Sequence, residues 1–86
     1  MDSQHCIVGV HITDRVKNAG EVQKVLTDFG CSIKTRIGLH DAREDYCSPS
    51  GLVVLEVLGG DKVCNDMRRR LSAIEGVAVQ VMVFEH

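Results

Sequence analysis

The middle of the chain constrains the fold most. Arg36-Ile37-Gly38-Leu39-His40 runs into a polar stretch, residues 41–50, that holds the only proline, and then into the nearly continuous apolar run of residues 51–58. Two β-type segments joined by a polar, turn-forming segment read as a hairpin. The chain on either side repeats one plan. A strand and a helix precede the hairpin, and a helix and a strand follow it.

Residues 5–12 alternate, with Cys6, Val8, Val10 and Ile12 on one face and His5, Ile7, Gly9 and His11 on the other. Thr13-Asp14 offers side-chain oxygens to the unpaired amides of a first helical turn. Val16, Ala19, Val22, Leu26 and Phe29 then recur at three- and four-residue steps, the stripe of an amphipathic helix. Gly30 stands where a helix end favours positive φ. In the second strand, residues 31–40, alternation places Ile33, Ile37 and Leu39 inward and Lys34, Arg36 and His40 outward. Gly59-Gly60-Asp61 turns the chain and caps a second helix with core positions Cys64, Met67, Leu71 and Ile74. Gly76 ends that helix. Residues 77–84 form the last strand, with Val77, Val79, Val81 and Val83 inward and Ala78, Gln80, Met82 and Phe84 outward.

The order is βαββαβ over a single domain, residues 1–86. It predicts a ferredoxin-like α+β fold, a four-stranded antiparallel sheet in the order 4-1-3-2 with both helices on one face. By parity, the helix-free face carries Ile7, Gly9, His11, Lys34, Arg36, Leu52, Val54, Glu56, Leu58, Gln80, Met82 and Phe84. That mixture is too apolar for a face left to water. A chain of 86 residues buries only roughly 60–65% of its unfolded surface on folding, so a homo-oligomer, dimer or tetramer, is expected to cover the face.

A net charge of −2, with one Tyr, two Phe and no Trp, gives neither a basic footprint nor stacking platforms, which argues against direct nucleic-acid binding. The polar start, Met1-Asp2-Ser3-Gln4-His5, lacks the features of a signal peptide, and no apolar stretch approaches the ~20 residues of a membrane span. A cytoplasmic protein without membrane contact is the expectation. The four cysteines, Cys6, Cys31, Cys47 and Cys64, form no Cys-x-x-Cys pair, and four free thiols are expected in a reducing compartment. Cys6 and Cys64 fall on core faces and read as small hydrophobes.

In a 4-1-3-2 sheet the ends of strands one and two and the start of strand three meet at one edge. His11, His40 and the Cys47 loop map there, with the two histidines about 10 Å apart. Imidazole and thiolate together suit zinc, nickel, copper or iron, so a transition metal or small ligand at His11, His40 and Cys47 is the first site expectation. Cys47-Ser48-Pro49-Ser50-Gly51 near His40 also allows a nucleophile loop to be drawn, but no third group is fixed to orient a base. A non-enzymatic protein is expected. Arg36 and Glu56, on neighbouring strands of the open face, are read as a pair across the sheet or a subunit boundary. The alternative gives Arg36 a ligand carboxylate. Met82 and Phe84 are read as interface residues. Arg68-Arg69-Arg70 is a solvated helix face.

Three segments carry a family resemblance over nearly the whole chain: Arg36-Ile37-Gly38-Leu39-His40, Cys47-Ser48-Pro49-Ser50-Gly51, and Leu58-Gly59-Gly60-Asp61. It is echoed in Gly76-Val77 and Val81-Met82-Val83-Phe84. The chain resembles ACT-type regulatory domains and the ligand-binding domain of the nickel-responsive repressor. It is similar above all to small stand-alone proteins known as iron-only hydrogenase system regulators. The resemblance implies a regulatory, ligand-sensing domain around hydrogenase or redox metabolism, with a transcriptional or hydrogenase-related protein as partner. Amino-acid-binding ACT domains place a glycine after the first strand, where this chain has Ile12-Thr13-Asp14-Arg15. The repressor uses a His-x-His strand and a cysteine opening the next, where this chain has Gly38 before His40 and Leu52. The repressor's DNA-binding arm has no counterpart.

Overall fold

A computed structural model describes residues 4–13, 15–39 and 51–85. Its elements are β1 (Gln4–Ile12), α1 (Arg15–Asp28), β2 (Ile33–Leu39), β3 (Gly51–Val57), α2 (Gly60–Ser72) and β4 (Val77–Glu85), with a 3-10 turn, Gly30–Ser32, before β2. The strands form one sheet in the order β2-β3-β1-β4, every neighbouring pair antiparallel. This is the ferredoxin-like α+β arrangement expected from the sequence.

The core lies between the sheet and the helices because three strands present one parity to the helix layer. Cys6, Val8, Val10 and Ile12 of β1 and Leu55 and Val57 of β3 are buried against Val22, Val25 and Leu26 of α1 and Cys64, Met67 and Leu71 of α2. Val77, Val79 and Val81 of β4 pack onto the same cluster. Leu55, Met67 and Leu71 have no exposed surface, and burying a side chain of that size contributes roughly 1.5–3 kcal/mol. Arg70 ties the helices on the outside. Its guanidinium donates to Asp28 at 2.7 Å and lies 5.5 Å from the centre of the Phe29 ring.

Three local readings are corrected. Gly30 opens the 3-10 turn and is not among the glycines with positive φ, which are Gly59, Gly60 and Gly76. Asp61 does not cap α2: the N-cap is Gly59, at φ 110°, and Asp61 lies in the first turn, where its charge meets the positive end of the helix dipole. Cys6 and Cys64 are joined in a disulfide between β1 and α2, and they are not two free thiols. Their shared place in the core brings the sulfurs together; Cys31 is free and exposed.

The largest correction concerns β2. Its register with β3 pairs Ile33 with Val57 and then Thr35 with Glu56, so Lys34 is an extra residue. Such a bulge reverses the parity of everything after it. Ile33 therefore packs on the core, whereas Thr35 and Ile37 stand opposite Glu56 and Val54 on the helix-free face. Arg36, opposite Leu55, turns to the helix side.

Candidate functional site

The helix-free face is built from the other parity of each strand. In register across β4, β1 and β3 lie Met82, Ile7 and Glu56, then Gln80, Gly9 and Val54, then Ala78, His11 and Leu52. At the last row, Leu52 also faces Leu39 of β2. The ends of β1 and β2 and the start of β3 thus converge on Leu52, as the topology predicts. His11 is exposed at that convergence. His40 and Cys47, its proposed companions, lie outside the described residues. No cluster of three or more His, Cys, Asp or Glu capable of holding a metal occurs among the described residues.

Two small residues shape this end of the face. Gly9 and Ala78 leave a depression of about 240 Å³, lined also by His11, Leu52 and Gln80. A Cβ built on Gly9 would meet only the Gln80 carbonyl oxygen, at 3.9 Å, so the glycine is not imposed by crowding. Elsewhere on the same face large apolar side chains stand in water: Ile37 is 50% exposed, Met82 54% and Phe84 53%. The depression thus exposes one imidazole and one carboxamide beside Leu52 and Ala78.

Within the chain, the proposed Arg36–Glu56 pair across the sheet does not form. Arg36 donates to Gln23 Oε1 at 2.9 Å on the helix side, and Glu56 accepts from the Thr35 hydroxyl at 3.3 Å on the open side. The bulge at Lys34 separates them. The arginine run is divided similarly, with Arg69 paired to Asp66 and Arg70 to Asp28. Sequence reasoning missed Ile37 as an open-face residue and Thr35 as the partner of Glu56. No helix among the described residues is long and apolar enough to cross a membrane.

The fold and face together define a small ferredoxin-like α+β domain with an exposed apolar sheet surface. Solved structures share that fold. An uncharacterized protein from Thermotoga maritima superposes with a TM-score of 0.82 at 20% identity, covering 95% of this chain and 99% of that one. CPII from Thiomonas intermedia K12, solved with ADP, AMP and acetate, gives 0.56 at 8% identity over 96% of this chain and 88% of its own. A formyltetrahydrofolate deformylase from Pseudomonas putida KT2440 gives 0.56 at 14% identity over 91% of this chain, which spans only 28% of the enzyme. No protein-family model and no curated protein matches the chain.

Proposed function

We propose that this chain is a non-enzymatic, ACT-like regulatory domain that works as a homo-oligomer. The helix-free faces of two copies pack together, and a small ligand or transition metal captured at His11, with His40 and the Cys47 loop, biases that packing and so a partner protein. The observation that carries this reading is the exposure of Ile37, Leu52, Met82 and Phe84 on the helix-free face, which also holds the depression at Gly9, His11 and Gln80. Large apolar side chains exposed together on one face mark an interaction surface. The placement of such a protein around iron-only hydrogenase or related redox metabolism rests on the resemblance of its three signature segments.

The test is the solution mass of the untagged chain by light scattering, alongside an Ile37→Ser/Leu52→Ser double variant. Neither position lies on β4, and both face away from the core by register. The wild type should be a dimer or tetramer at micromolar concentration, and the variant a smaller folded species. A wild type that remains monomeric at about 100 μM, well above the micromolar Kd of a weak specific complex, overturns the assembly and the regulation built on it.

A further inference from the structure

A second cavity lies on the helix side of the sheet, between α1 and the end of α2. Its volume is about 460 Å³, within the span of small-molecule sites. It shares no lining residue with the depression on the helix-free face. Its inner lining is Val25, the half-buried Ile74 and Asn18. Asn18 is 8% exposed, the one buried polar residue among the described residues. A carboxamide carries two N–H donors and a carbonyl acceptor, and a buried one is normally hydrogen-bonded. That of Asn18 has no hydrogen-bond partner among the described residues, and neither its nitrogen nor its oxygen is sealed from the surface. Packing holds the side chain in place: a Cβ on Gly76 would lie 2.8 Å from its amide nitrogen. Its hydrogen-bonding capacity is therefore left to the groove. The exposed lining is charged, and the charges are unequally matched. Arg70 is paired with Asp28 at 2.7 Å. Glu21, Lys24 and Glu75 line the same groove and have no ion pair among the described residues. Two carboxylates thus stand against one ammonium around an unpartnered carboxamide.

We infer that this groove binds a small organic cation, a protonated amine or guanidinium carried on a short apolar chain. The cationic head donates to the Asn18 carbonyl oxygen and to the carboxylates of Glu21 and Glu75, hydrogen bonds that its charge strengthens. The apolar chain lies along Val25, Ala73 and Ile74, which supply the uncharged part of the lining. Lys24 follows Glu21 by nearly one turn of α1 and repels a second positive charge, so the groove favours a monocation over a polyamine. The carboxylates alone would be a solvated surface. The buried, unpartnered Asn18 is what makes them part of a site, because a polar group kept from water is costly unless something bonds to it. This site is separate from the assembly proposed for the helix-free face, and either can fail alone.

Heteronuclear NMR on the labelled full chain tests the inference, with n-butylguanidinium as the probe. Its addition should shift the backbone amides of Asn18, Val25, Ile74 and Gly76 saturably, with a Kd of about 1 mM, the scale open to so small a molecule. Butyrate, of similar length and opposite charge, should not saturate these shifts. The double variant Glu21→Gln/Glu75→Gln changes only exposed side chains and should weaken the probe about tenfold. Asn18→Leu, which keeps the branching of the side chain and removes its acceptor, should weaken it to the same degree. The Ile37→Ser/Leu52→Ser variant should bind the probe as the wild type does, which separates this site from the helix-free face. A wild type with no saturable response to n-butylguanidinium, a response to butyrate as strong, or a double variant that binds the probe as tightly as wild type would overturn the inference.

Discussion

Arg36 and Gln23 are joined by a 2.9 Å hydrogen bond from guanidinium to carboxamide, between β2 and α1. This bond places Arg36 on the helix side of the sheet and removes it from the surface proposed for assembly. Both residues are exposed, so the bond contributes little. Arg36→Ala should cost no more than about 1 kcal/mol in urea unfolding and leave the assembly's mass unchanged. An Arg36→Ala protein that dissociates would return the arginine to the interface.

Gly9 tests the depression without disturbing the core. A methyl group there meets nothing nearer than 3.9 Å, and glycine within a strand is itself unfavourable by roughly 0.5–1 kcal/mol. Gly9→Ala should therefore melt at or above the wild-type temperature while weakening capture of nickel or zinc ions, followed by titration calorimetry. Unchanged metal binding in a folded Gly9→Ala protein would move the ligand away from this face.

Gly76 is the opposite case. It holds φ +84°, a Cβ there would lie 2.8 Å from Asn18 Nδ2, and its carbonyl oxygen accepts from Thr13 N–H at 2.8 Å. Gly76→Ala combines a left-handed backbone, costing roughly 1–2 kcal/mol, with displacement of the buried Asn18. A loss of at least that size is expected in chemical denaturation, and a neutral substitution would contradict the geometry of the α2–β4 turn.

The Cys6–Cys64 bond closes a separation of 58 residues, for which the chain-entropy relation gives about 4 kcal/mol. Cys64→Ser, or wild type unfolded under reductant, should lose stability of that order. Thiol titration of denatured, unreduced protein should find only Cys31 and Cys47. Four titratable thiols would restore the reading of Cys6 and Cys64 as separate core residues.

A non-enzymatic role makes Cys47 an ordinary thiol. Iodoacetamide should modify it no faster than the exposed Cys31, because a nucleophilic cysteine reveals itself by thiolate character. Markedly faster labelling at Cys47 would favour a thiol-dependent enzyme.

The sequence revealed most of this fold because the register of β1 with β3 and β4 is unbroken and each strand gives one apolar parity to the core. It misled at β2 for a physical reason. Ile33, Ile37 and Leu39 share a parity in a regular strand, and nothing in their spacing records that Lys34 is bulged out. A polar Arg36 where a core residue would fit the true register, and an apolar Ile37 half exposed, are the consequences. The cysteine bond was equally hidden, since residue spacing carries no information on which buried sulfurs meet across the core. At the site, the convergence on Leu52 and the exposure of His11 follow from topology alone. The depression does not, because it depends on Gly9 and Ala78 lying diagonally opposite on adjacent strands.

The most direct test of a ligand-regulated assembly is a native mass spectrum of the untagged protein purified without oxygen or chelators. The account predicts a dimer or tetramer carrying a mass increment that is lost in His11→Ala. A bare monomer, or an increment that His11→Ala and His40→Ala both retain, would contradict it.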